Sequence, residues 1–143
     1  MVTKVKTPQA IVAKGLELLS QALQIEYSMI IQYPQFAERI RDEEIRQQVI
    51  ALGVASTKHA DVVSKAIEKL GGTPEWSFEF VDRNADLTDI FTQQLKKEQL
   101  ALKLHQQAAS LLQGDALGEE FSQIAEEEKS HIKTVQKIIA GLK

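Results

Sequence analysis

Glu128 and His131 stand three residues apart in "EEEKSHIK", Glu126 to Lys133, a spacing that puts a carboxylate and an imidazole on one face of a helix. Seventy-two residues earlier the chain reads "VASTKHAD", Val54 to Asp61, where His59 is present again but Ser56 stands in place of the glutamate. The same offset pairs Glu26 with Glu98, so each half of the chain carries a glutamate and, 33 residues later, a histidine. Tyr33 pairs with His105 in that register, each seven residues past its glutamate.

These polar residues interrupt apolar stripes. Glu26 lies between Leu23 and Ile30, Glu98 between Leu95 and Leu102, and His131 among Phe121, Ile124 and Val135, so all three are expected to point into a core. A buried, ionised carboxylate without a partner is costly, and several that converge call for a cation. Carboxylate oxygen with imidazole nitrogen and no sulfur suits iron or manganese, and also zinc.

The elements that must hold these groups follow the same repeat. Leu18 pairs with Ile90, Leu23 with Leu95, Val49 with Phe121, Leu52 with Ile124 and Val63 with Val135, which reads as two helix hairpins of one design. Helical periodicity predicts four helices, at about residues 9–40, 42–70, 84–113 and 116–141, in a single all-α domain over residues 1–143. Pro8 suits a first helical turn, Gly71 a helix stop, and "GDALG", Gly114 to Gly118, a short turn between antiparallel neighbours. Pro34 falls inside the first helix and is expected to kink it. Residues 71–85 carry little helical pattern but include Trp76, Phe78 and Phe80. A connection of this length is expected to run the full length of a bundle, its aromatics pinning it down.

Composition removes several classes of function. The chain has 143 residues, a size that one core can serve, and no cysteine, so neither disulfides nor thiolate metal sites can form. The net charge is −3 with both signs interleaved, which argues against a nucleic-acid partner. No apolar run reaches the roughly 20 residues that span a bilayer, and the first residues lack a signal-peptide pattern. The expectation is a soluble cytoplasmic protein with no membrane partner.

Helix bundles build two-metal sites from one glutamate on each of two helices and a Glu-x-x-His on each of the other two. Over nearly its whole length the chain resembles the ferritin-like superfamily, above all its bacterioferritin and rubrerythrin branches. The segments that carry the resemblance are "EYSMIIQY", Glu26 to Tyr33, "KHADVVSKAIEKLGGTP", Lys58 to Pro74, and "EEEKSH", Glu126 to His131. It implies a ferritin-like four-helix bundle of two antiparallel hairpins joined by a long crossover. It also implies that Glu26 and His59 hold one metal, Glu98 and His131 the other, with Glu128 bridging. Ser56 then stands at the second bridging position, where a small external ligand could replace the carboxylate.

The cofactor implied is iron, two ions or only one where Ser56 removes the second, with manganese or zinc as alternatives. Thr57 stands where haem-binding bacterioferritins carry methionine, so no haem is expected. Neither a fifth helix after His131 nor a cysteine-ligated rubredoxin module is expected, and electrons would come from a separate donor. The implied function is a non-haem oxidoreductase, a ferroxidase or peroxide-reducing enzyme, that brings ferrous iron together with dioxygen or peroxide. The implied assembly is a homodimer. The alternative is a metal-binding or structural bundle that has lost turnover with the carboxylate at position 56. Tyr33 and His105 are expected just outside the ligands, as a catalytic route for protons or electrons or as satisfied core groups.

Overall fold

The computed structural model describes residues 8–79 and 84–142. Among the described residues lie four helices: α1 (Pro8–Ala37), α2 (Glu43–Lys69), α3 (Leu87–Leu111) and α4 (Ala116–Leu142). Helix α1 packs along α2 and α3 along α4, while α1 also meets α3 and α2 meets α4. The protein is an all-α four-helix bundle of two antiparallel hairpins.

The helix ends have local causes. Helix α1 continues through Pro34 but stops at Ala37 instead of residue 40, because Arg39 and Ile40 donate to Phe36 and Ala37 in tight turns. Asp42 then caps α2 by accepting from the Ile45 amide at 3.0 Å. At the far end of α2, Gly71 takes φ +87°, and its amide bonds Glu68 while that of Gly72 bonds Ile67. This pair of bonds is a Schellman stop, which favours glycine. The start of α3 falls at Leu87, three residues later than the periodicity suggests, because Asp86 is extended and accepts from the amides of Thr88 and Asp89. The α3–α4 turn is so tight that a Cβ on Gly118 would lie 2.3 Å from the Leu112 carbonyl oxygen.

The connection between α2 and α3 climbs the side of the bundle. It begins with Gly72 packed on Leu16, near the start of α1, and Trp76 stacks on Tyr27 with ring centroids 3.7 Å apart. Further along, the Glu79 amide donates to Ser28 Oγ at 2.9 Å, and the Glu79 carbonyl accepts from Gln32 Nε2 at 2.7 Å. Asn84 arrives beside Phe36 and Arg39, at the other end of α1. The segment therefore runs the length of the bundle, and α2 and α3 are parallel. Of its aromatics, Trp76 pins the segment to α1 while Phe78 is half exposed; Phe80 lies outside the described residues.

Buried apolar side chains close the bundle on both sides of a polar layer. Leu19, Leu23 and Ile67 lie toward one end, and Phe36, Phe91 and Val49 toward the other. Between them Glu26, Ser56, His59, Glu98, His105 and Glu128 are all at most 1% exposed.

Candidate metal centre

Each helix brings its polar residues to the same level of the core. One group consists of Glu26 from α1, His59 from α2, His105 from α3 and Glu128 from α4, with donor atoms all within 4.8 Å of one another. A second consists of Glu98, Glu128 and His131, so Glu128 belongs to both. Atoms bound at about 2.1 Å to one first-row metal ion lie up to about 4.2 Å apart. Both groups are within a small side-chain adjustment of that spacing.

The donors crowd together without satisfying one another. His59 Nδ1 is 2.9 Å from Glu128 Oε1 and 3.6 Å from Glu26 Oε2. The closer approach is an ion-pair contact rather than an aligned hydrogen bond, since neither His59 nitrogen and neither Glu128 oxygen has a hydrogen-bond partner. His131 Nδ1 lies 3.7 Å from both Glu98 Oε2 and Glu128 Oε2, also unpartnered. One oxygen of Glu26 and one of Glu98 are orphaned as well. Buried polar groups are normally paired, so a cluster of orphans is the arrangement a cation would complete. Three carboxylates and three imidazoles suit iron, and they also suit manganese or zinc.

Without metal the cluster settles its charge with protons. Burial and the negative charge of Glu128 push the Glu98 carboxyl well above its usual range. Burial opposes a charge on Glu128 too, but its contacts with His131, His59 and Glu98 outweigh that and lower its pKa. Burial likewise disfavours charge on His59, yet Glu128 and Glu26 overcome it and lift the imidazole to about 10. Tyr33 is held as a neutral phenol by burial and by the charges of Glu98 and Glu128, and it donates to Glu98 Oε2 at 3.2 Å.

Tyr33 thus sits just outside the donors, where the sequence pattern places it. Its repeat mate His105 does not. His105 Nε2 is 2.9 Å from Glu26 Oε2, within the first donor group. Glu127 is half exposed and turns a carboxylate oxygen to 3.7 Å from His59 Nε2.

Ser56 is buried on the α2 face that carries His59, and its hydroxyl donates to the Leu52 carbonyl at 3.1 Å and lies 3.7 Å from Met29 Sδ. Met29 is itself fully buried. The repeat mate of Met29 is Ala101 and that of Ser56 is Glu128. One half therefore joins a large residue to a small one where the other joins a small residue to a large one. A glutamate at position 56 would compete with the Met29 thioether for space. Ser56→Glu alone is expected to destabilise the metal-free protein by about 1–3 kcal/mol through overpacking, with the buried charge adding to this. Combined with Met29→Ala, it should raise metal stoichiometry or affinity over the parent, as read by elemental analysis and by thermal unfolding with and without metal. If the double variant gains nothing, residue 56 does not face the metal.

A bundle of two hairpins, joined by a full-length crossover around a buried carboxylate–imidazole layer, defines the ferritin-like class. The profile of the rubrerythrin family matches residues 17–139, and the chain belongs to that family. The fold is shared with solved structures of low sequence identity. A Desulfovibrio desulfuricans bacterioferritin with a diiron site superposes with a TM-score of 0.77 at 22% identity, covering 95% of this chain and 84% of that one. A ferritin-like diiron-carboxylate protein from Bacillus anthracis gives 0.80 at 20% identity, with 90% and 97% covered. A dodecameric thioferritin from Bacteroides fragilis gives 0.76 at 18%, with 92% and 87% covered. No curated protein matches the chain in sequence.

Proposed function

We propose that this protein is a non-haem di-iron oxidoreductase that brings ferrous iron together with dioxygen or peroxide inside the bundle. The observation that carries this reading is the layer of buried, mutually unsatisfied carboxylates and imidazoles contributed by all four helices. Glu26 and His59 would hold one ion, Glu98 and His131 the other, and Glu128 would reach both. Iron bound there would supply electrons to the oxidant.

The chain's own residues supply the setting for that chemistry. The apolar layers above and below exclude bulk water, which strengthens every charge interaction between them. Tyr33 fixes Glu98 by its hydrogen bond, and Glu127 faces the outer nitrogen of His59, the kind of contact that orients a ligating imidazole. Because the sequence has no cysteine, the reductant is taken to be a separate electron donor. Among the described residues no helix is long and apolar enough to cross a membrane, in keeping with a cytoplasmic location. The exposed Ile50 and Val54 on α2 and the assembly of a related thioferritin support self-association, with a homodimer as the simplest form.

The second reading is a metal-binding bundle without turnover, and the Ser56–Met29 contact favours it because one bridging carboxylate is replaced by an apolar filler. Elemental analysis of the purified protein, followed by dioxygen and peroxide consumption after anaerobic loading with ferrous iron, separates the two. Iron bound with turnover supports the oxidoreductase. Iron bound without turnover supports the second reading, and a protein that takes up no metal overturns both.

A further inference from the structure

We infer that His105 is itself a metal ligand, supplying to the first ion the donor that position 56 lacks; this rests on the metal-centre reading above. The repeat breaks at two chemically informative places, one three residues before the donor His59 and the other at His105, itself in the same donor group. Position 56 carries serine where its mate is Glu128, and position 105 carries imidazole where its mate is the phenol Tyr33. Ser56 precedes His59 by three residues, so the ion held by Glu26 and His59 is one of the two that lose the second bridging carboxylate. His105 reaches the same ion's ligands, with Nε2 2.9 Å from Glu26 Oε2 and its ring centroid 5.9 Å from that of His59. An ion position that lost a bridging oxygen is thus the one His105 reaches with a nitrogen donor.

The two mates differ in what they can do. Tyr33 donates its hydroxyl to Glu98 Oε2 at 3.2 Å, so it serves that carboxylate as a hydrogen-bond donor. A neutral imidazole has a bare nitrogen and can bind a metal directly. His105 is fully buried, and Phe121 holds its ring by stacking at 5.7 Å. No polar partner meets Nδ1. The ring is therefore fixed in place by packing and directed at the donor group. The resulting centre is asymmetric: Glu26, His59, His105 and shared Glu128 at one position, and Glu98, His131 and shared Glu128 at the other. Exchange of a carboxylate for a neutral imidazole also leaves three carboxylates where a fully symmetric centre has four, so the centre compensates less of the charge of higher-valent ions.

Cobalt(II) tests this without reference to turnover. The parent and a His105→Tyr variant, which restores the phenol found at position 33, are titrated with Co(II) while stoichiometry and visible absorption are followed. In the parent two unequal binding steps are expected. In His105→Tyr one step should weaken at least tenfold with a changed absorption band, while the other persists. A second measurement needs only the parent: in the Co(II)-loaded, 15N-histidine-labelled protein, three imidazole N–H resonances should carry hyperfine shifts. Two such resonances, or a folded His105→Tyr chain with unchanged affinity and spectrum, would show that His105 only hydrogen-bonds Glu26 and would overturn the inference alone. A parent that binds no cobalt, zinc or iron would overturn the metal centre and the inference together.

Discussion

Glu128→Gln is expected to leave the chain helical but to remove metal uptake from both positions at once. Glu128 is the one residue common to the two donor groups, it is fully buried, and both of its oxygens are unpartnered. Glutamine keeps its length and shape while removing the charge, and it turns an N–H₂ group toward donors that need a cation. Removing one partner of a buried charge cluster costs about 3–5 kcal/mol, which corresponds to roughly a hundredfold to a few-thousandfold loss of affinity. His131→Ala should behave differently, losing the second position while the Glu26, His59, His105 and Glu128 group remains. Metal stoichiometry by elemental analysis, with helicity by circular dichroism, distinguishes these outcomes. If Glu128→Gln keeps the parent's stoichiometry, the carboxylate is not shared.

Metal affinity is expected to rise steeply with pH, because metal and proton compete for the same atoms. His59, lifted to about 10 by Glu128 and Glu26, is protonated at neutral pH in the metal-free protein, and binding metal must expel that proton. Glu98, with its pKa raised, gives up a second one at any pH below that raised value. Glu128 titrates below its usual range and releases none near neutrality. The apparent association constant should therefore rise about tenfold per pH unit for each proton expelled. Calorimetry between pH 6 and 8, in buffers that differ in ionisation enthalpy, counts the protons directly; no release and a flat affinity would contradict the assignment.

Stability of the metal-free chain should move the opposite way. A histidine whose folded pKa exceeds its unfolded value contributes stability that is complete below about 6.5 and is lost as pH rises through about 10. The raised Glu98 acts in the same direction, since the fold favours its protonated form. Thermal unfolding without metal should thus weaken on the alkaline side, and bound metal should reverse the trend.

Much of the fold is legible in sequence because it rests on local rules. The apolar stripes of the two halves carry the same residue classes, and Gly71 and "GDALG" mark real stops. The misplaced ends at Ile40 and Asn84 have a different origin. Apolar residues such as Ile40 continue the helical pattern past the last hydrogen-bonded turn, because they are buried without being helical. Within the site, the 33-residue spacing marks Glu26, His59, Glu98 and His131 as residues that share a layer, and the bundle brings them together. The reach of His105 is not encoded in that spacing. It depends on how closely α3 approaches α1, which is a property of packed helices. Met29 escapes notice for a related reason: serine at position 56 reads as a gap, and only the neighbouring helix shows what occupies it.

The crossover also gives the molecule a front and a back. From Gly72 to Glu79 the strap lies on α1, tied by Ser28 and Gln32, and the Gln32–Gln94 contact and the Glu79–Lys97 ion pair carry the tie across to α3. The α1–α3 seam is shuttered by backbone that would have to unfasten before anything could pass. On the α2–α4 side, His131 is 14% exposed and Glu127 spans the gap to His59. The exposed edge of the donor cluster therefore lies on that face, beside an acidic side chain that attracts cations. The opposite face is left free to be rigid.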